Sequence, residues 1–529
     1  MRNRFIVTCA AVAAVCSGVA GVARAQDYIG DLNRSYTQVP AAQRSDEVLL
    51  PALIGLEEPP ESVDSLREAQ LLIAGMAGWD DAAAWASAEP QQEAVAALRR
   101  AVRSSGGETG VRGGMSFVQP YGVSGVSPDL VRAGLYTELG DPPLLAAADH
   151  QYLDHLDTLQ ILVNVEANRL LAEGDAVGAG NLLVDLAYLG RQLGDRALSR
   201  EADYGLRMAI GAIRRFRDVL YLDAQDGLSL EPRDLLDLIA ALDPQVGALD
   251  LPRLRFPRGE KSAALQLVET VYQPRGGIDE RVFASTMSRL GSVNRPLRLF
   301  SEAAKWERLG GLQADWFDAR DEAERIYGDW ESRWSLNAFD PLMVRPFAYD
   351  MSDPTRFAAV RASLRDLSEI FTLRRVLRLE AAGAQAALGV LGYRSYFGVY
   401  PPRLSSVRPQ WLKNLEEDPF NPAPEMRRNA GRPKLQFFVP VRDAYQRDRR
   451  ATPSRHLIEF FPERGENFAR EFGDEAFVLY SVGGNGRREF AEQVSEDPEA
   501  EVGDYILWPP LLSIEREHLI QTDQIATGS

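Results

Sequence analysis

The 529-residue sequence predicts a mainly α-helical protein with a C-terminal α+β domain: a helical hairpin array followed by a long helix packed on a small antiparallel sheet. Three observations predict it. Apolar residues recur at spacings of three and four from Asp149 to Leu222, in stripes separated by Gly-Asp pairs. A longer stripe of the same period runs from Val360 to Leu391 and stops at Gly398, before Tyr400-Pro401-Pro402. Beyond Pro433 the period gives way to short aromatic and β-branched runs bounded by Gly, Pro, Asn and Asp.

The N-terminus reads as an export signal. Arg2 and Arg4 precede an apolar run from Phe5 to Val22, and Ala23-Arg24-Ala25 places small residues where signal peptidase needs them, so cleavage is expected after Ala25. A membrane anchor needs about 20 apolar residues, and Gly18, Gly21 and Arg24 interrupt this run. Ala13-Ala14-Val15 before Cys16 does not suit lipidation. Cleavage leaves an extracytoplasmic protein, periplasmic or secreted, without a transmembrane anchor. Both cysteines, Cys9 and Cys16, fall within the signal, which excludes disulfides, zinc-thiolate sites and cysteine nucleophiles from the mature chain.

The chain carries 59 basic and 76 acidic residues, a net charge of −17, and loss of the signal removes three arginines and no acid. Such a surface repels nucleic acid and suits a well-solvated exported protein.

Taken in order, residues 26–60 hold Pro40, Pro51, Pro59 and Pro60 with little periodicity, and an extended arm is expected there, free to pair with a neighbouring copy. A helical domain is expected over 61–350. It opens with Leu66, Ala69 and Ile73 on one face and is interrupted by a Gly- and Ser-rich loop or small hairpin from Ser104 to Pro128. In the array, Leu153, Leu156, Val163, Ala167 and Leu170 form one stripe, Leu182 to Leu193 a second and Leu198 to Leu220 a third. Gly174-Asp175 and Gly194-Asp195 each predict a left-handed helix end followed by an N-cap. The three helices resemble tetratricopeptide-like hairpins without a 34-residue consensus, and generic helix packing fits them equally. After a loop from Asp243 to Arg258, helices resume through Trp334.

Chemistry is sparse. His150, His155, His456 and His518 are the four histidines, and the first two, five residues apart, would point about 140° away from each other on a helix. No nucleophile elbow, phosphate loop or paired-His motif occurs. Trp306, Trp316, Trp330 and Trp334 form either interhelix packing or a sugar platform. Asp315, Asp318, Asp321 and Glu322 beside them are the carboxylates that a glycoside hydrolase or lyase would use, and otherwise make a solvated helix face. No catalytic residue is assigned.

The C-terminal module, expected over 351–515 with a tail at 516–529, carries ordered signals. A long helix leads to Tyr400-Pro401-Pro402, then Asp418-Pro419-Phe420, then strands at 435–439, 458–461 and 476–480. Phe477-Val478-Leu479-Tyr480-Ser481-Val482-Gly483, a turn with Asn485-Gly486 and a final Asp504-Tyr505-Ile506-Leu507-Trp508 complete them. Over roughly residues 375–510 this order resembles the C-terminal half of the major pseudopilin of the type II secretion system. The whole chain resembles exported bacterial proteins that join such a domain to helices.

The resemblance implies a long helix on a small sheet, and a calcium ion in the final loop. Ser481, Asn485, Asp497 and Asp504 stand in the matching stretch, broken by an insertion from Arg487 to Val502; no other cofactor is implied. The module lacks the pseudopilin's membrane helix, and its own helix carries Arg374, Arg375 and Arg378. The expected role is an exported, non-catalytic scaffold or binding protein of the cell envelope. Its partners would be envelope proteins, secretion machinery or further copies of itself; the alternative is the carbohydrate-active enzyme.

Overall fold

The computed structural model describes residues 26–104, 110–225, 227–294, 299–422, 433–446, 452–462 and 465–526; the expected signal at 1–25 lies outside the described residues. Residues 26–60 are helical, not extended. Asp27 caps α1 (Tyr28–Thr37) by accepting from the Gly30 amide at 2.9 Å, and α2 (Ser45–Leu53) buries Leu49, Leu50 and Leu53. Pro40 and Pro59-Pro60 fall between helices, so they punctuate this segment without unfolding it. The arm is bound into its own chain: the Tyr28 hydroxyl donates to Glu269 at 2.6 Å, and Asn33 exchanges two 2.9 Å hydrogen bonds with the main chain of Tyr121. The reason offered for pairing with a neighbour is thereby removed.

Short helices α3 (Leu66–Leu71), α4 (Trp79–Ala86) and α5 (Glu89–Ala101) lead to the Gly-rich loop. Then come α6 (Pro128–Arg132) and the two-residue strands β1 (Thr137–Glu138) and β2 (Asp149–His150). The array consists of α7 (Tyr152–Ala172), α8 (Ala176–Leu193) and α9 (Ser199–Gln225). At the first turn Gly174 has φ +84°, which a side chain would strain, and Asp175 accepts from the Gly178 amide at 2.7 Å, as expected of the pair. The second pair behaves differently. Gly194 is right-handed at φ −58°, and Asp195 accepts from the Arg255 amide at 2.8 Å instead of capping α9. The glycines that matter here are Gly190 and Gly205, where α8 and α9 touch: a Cβ on Gly190 would lie 2.6 Å from the Gly205 carbonyl.

The array ends on a buried polar knot. Glu201, at the start of α9, accepts from Tyr121 and from Arg196 Nε, each at 2.7 Å, and from Tyr152; His150 Nδ1 lies 3.6 Å away. All five side chains are buried, and the cation and anion compensate each other.

The chain continues through α10 (Pro232–Ala241), α11 (Gly259–Val271), α12 (Glu280–Asn294), α13 (Leu299–Gly310) and α14 (Trp316–Trp334). The long helix expected through Val360–Leu391 is two helices, α15 (Ala358–Ser363) and α16 (Ser368–Phe397). Asp366 accepts from the Ser368 amide at 2.9 Å at the break, while Leu364 and Leu367 remain buried. Apolar spacing therefore runs through the interruption and conceals it.

The C-terminal strands are β3 (Gln436–Phe438), β4 (His456–Phe461), β5 (Phe468–Phe472), β6 (Val478–Ser481), β7 (Gln493–Ser495) and β8 (Asp504–Trp508), in the order β3-β6-β8-β7-β4-β5. The sheet is mixed rather than antiparallel, because β7 runs parallel to both β8 and β4. That strand lies within the Arg487–Val502 insertion, which thus joins two antiparallel halves. The expected tail begins inside a helix, α17 (Leu511–Gln521), whose buried Arg516 donates to Asp218 at 2.7 Å and to the Gln70 and Leu71 carbonyls.

The boundary expected near 350 is not a seam in the core. Buried apolar side chains form one continuous cluster from Tyr28 to Ile514. Glu380 of α16 is bonded by Arg214 and Arg217 of α9 and by Tyr505 of β8, and Gln385 donates to the Ile239 carbonyl at 2.8 Å. Among the described residues, no helix is long and apolar enough to cross a membrane.

Candidate functional site

Three of the four carboxylates considered for glycoside chemistry hold structural positions, and Asp321 is exposed on α14 (Trp316–Trp334). Asp315 caps α14 by accepting from the Asp318 amide at 2.9 Å, and Asp318 pairs with Arg356. Glu322 forms a two-point pair with Arg325 at 2.7 and 2.8 Å. Burial opposes its charge, but the Arg325 hydrogen bond leads the effects that hold it below the ordinary carboxylate range. A glycosidase acid needs the opposite shift. The tryptophans do not make a platform: Trp330 is fully buried against Tyr349, Trp306 meets Phe283 edge-on and Trp316 meets Phe317.

The histidines are likewise separated. His150 stands on β2, buried beside Thr137 and Glu201, and burial lowers its pKa to about 4. His155 lies on α7, His456 Nε2 meets the Phe490 carbonyl at 3.0 Å, and His518 stacks on Phe468.

The residues matched to a calcium loop are each engaged with protein partners. Ser481 donates to Asp418 at 2.8 Å, and Asn485 Oδ1 accepts from the Arg487 amide at 2.7 Å. Asp497 accepts from the Glu499 amide at 2.8 Å. Asp504, buried at the start of β8, accepts from the Ala491 amide at 2.7 Å and from that of Glu489 at 3.2 Å. Burial pushes its carboxyl up to about 7, a shift that disfavours the charge calcium needs. Among the described residues, no three His, Cys, Asp or Glu side chains are grouped to hold a metal.

A different site emerges where α14 ends, α16 begins and the 417–419 turn passes. Phe371, Arg374, Arg375 and Arg378 occupy positions i, i+3, i+4 and i+7 of α16, hence one face, and all four line a pocket of about 140 Å³. Trp334, at the end of α14, forms the facing wall; its ring lies 5.2 Å from that of Phe371. Arg374 donates to the Trp334 carbonyl at 2.7 Å and lies 4.3 Å over its ring. Arg375 lies 4.1 Å over Phe420, and Arg378 pairs with Glu416 at 3.0 Å. Burial first, then Arg378 and Arg191, lower the Arg374 pKa to about 10. Cations crowded and desolvated in this way favour a bound anion. The sequence displayed the spacing of these residues, but nothing local to α16 indicated that Trp334 would stand opposite. Comparison of the chain with family models, curated proteins and solved structures finds no match.

Proposed function

We propose that the chain is an exported, non-catalytic binding scaffold of the cell envelope, acting beside secretion machinery or a surface assembly and carrying a pseudopilin-like C-terminal domain. One observation carries the reading: α16 is fixed into the body by buried ion pairs while the Arg374, Arg375 and Arg378 face lines an open, aromatic-walled pocket. Binding needs such a preformed recess on rigid elements. Catalysis needs groups free to react, and Asp315, Asp318 and Glu322 are committed to a cap and ion pairs. Export is supported by the basic, apolar and small-residue pattern of residues 1–25, and the pseudopilin kinship by a 30-residue helix followed by the expected strands.

The test is photo-crosslinking in the native envelope. A photoreactive residue replaces Phe339, which lines the pocket, in the full-length chain. A discrete envelope adduct that disappears with Arg374→Gln, on a chain processed at Gln26, supports the proposal. An adduct pattern indifferent to Arg374, or retention of residues 1–25 in the cytoplasm, overturns it.

A further inference from the structure

The pocket on α16 is an unusual place to keep three arginines. Like charges at i and i+4, as at Arg374 and Arg378, each cost a helix about 0.2–0.5 kcal/mol, and the chain as a whole is acidic. Arg374 makes no ion pair among the described residues. Of the five donors on its guanidinium, the Trp334 carbonyl takes one. Among the described residues, the Nε atoms of Arg375 and Arg378 are buried without a hydrogen-bond partner. Asp418, Glu416 and Glu499, acids at or near the pocket, are engaged elsewhere. Asp418 is occupied by Ser481 and the amides of Phe420 and Val482, and burial raises its pKa; Glu416 is paired with Arg378, and Glu499 lies 3.6 Å from Arg375. Trp334, Phe339 and Met343, with Phe371 on the arginine-bearing face itself, supply the apolar lining.

We infer that this pocket binds a carboxylate attached to a short apolar or aromatic group, with Arg374 as its principal partner and Trp334 and Phe371 flanking the apolar part. A guanidinium held over an indole, with one donor on the Trp334 carbonyl, keeps further donors in the fork geometry that carboxylates match. The recess of about 140 Å³ admits a head group and one ring or side chain, and it opens to solvent, where the rest of a longer ligand would lie. Two sources share this chemistry: a free small acid, or the C-terminal carboxylate of a polypeptide. The inference rests on the binding-scaffold reading and names the ligand of that same site.

Isothermal titration of the mature chain uses three probes: phenylacetate, the acetylated peptide Ala-Ala-Phe with a free carboxyl terminus, and the same peptide amidated. The free-acid peptide is expected to bind at least tenfold more tightly than the amide, which corresponds to about 1.4 kcal/mol. Arg374→Gln is expected to remove that preference without moving the melting temperature, and Arg374→Lys to restore part of it. Phenylacetate binding as tightly as the peptide identifies a free acid; tighter peptide binding identifies a chain end; either supports the inference. Equal binding of acid and amide, or no binding of either acid at millimolar concentration, overturns it. Should that occur while the Arg374-dependent envelope adduct persists, the ligand class fails and the scaffold reading stands.

Discussion

Removing the charge of Glu380 tests whether the helical array and the sheet form one cooperative body. Glu380 has no exposed surface, accepts from Arg214 Nε at 2.9 Å and is also bonded by Arg217 and Tyr505. Burial opposes its ionisation, but Arg217 and Arg214 overcome that and hold the carboxyl below its ordinary range. Glu380→Gln keeps the volume and leaves buried Arg217 facing no carboxylate. Loss of one partner from a buried pair costs about 3–5 kcal/mol. Unfolding entropy of about 2.1 cal/mol/K per residue gives about 1 kcal/mol per degree for a chain of this length, so the melting temperature should fall by about 3–5 °C. Glu380→Met combined with Arg217→Met should regain part of the loss, because Arg217 leaves with its partner while part-exposed Arg214 still loses its carboxylate. Calorimetry and circular dichroism read both variants. A fall of less than about 1 °C in the single variant, or separate transitions for helices and sheet in the parent, would refute the coupling.

Acid should weaken the fold through His150. The unfolded chain takes up this proton near 6.5 and the folded chain only near 4, so stability is complete above pH 6.5. It falls as pH drops towards 4, by about 3 kcal/mol in total. Urea unfolding at pH 7 and 4.5 should show His150→Asn losing less than the parent, and equal losses would discount the histidine. Gly190→Ala should cost about 1–3 kcal/mol by overpacking the contact between α8 and α9. Gly211→Ala, where a Cβ meets nothing within 4 Å, should be neutral or stabilising by up to about 1 kcal/mol; thermal melts that rank the two in the opposite order would contradict the packing. Chelation with EGTA should leave the melting temperature unchanged, since Ser481, Asn485, Asp497 and Asp504 already have protein partners. A rise on adding millimolar calcium would restore the calcium loop.

Much of the secondary structure was legible because its causes are local. The stripes of α7, α8 and α9 and the Gly174-Asp175 turn depend on residues within a few positions of each other. Where a signal depended on context, it misled. Pro51 reads as a breaker yet lies within α2, whose leucines are buried in the common core; Gly194 reads as a helix end of one hand and adopts the other. Strand segments were visible in their aromatic runs, whereas the place of β7 in the sheet depends on pairing with β4, 34 residues earlier, as well as with nearby β8. Of the site, the face bearing Arg374, Arg375 and Arg378 was apparent, but its meaning required Trp334, 40 residues earlier.

By itself the sequence determined the helical character of the body and the α+β character of the C-terminal part, and it placed both cysteines within residues 1–25. Periodicity, capping residues and composition are properties of neighbouring residues, and they persist in any arrangement of the chain. Tertiary structure decided which charges are buried and neutralised, as at Glu201 and Glu380, and which have no counter-ion among the described residues, as at Arg374. Desolvation and ion pairing act over a few ångströms in space, between groups that the sequence holds far apart.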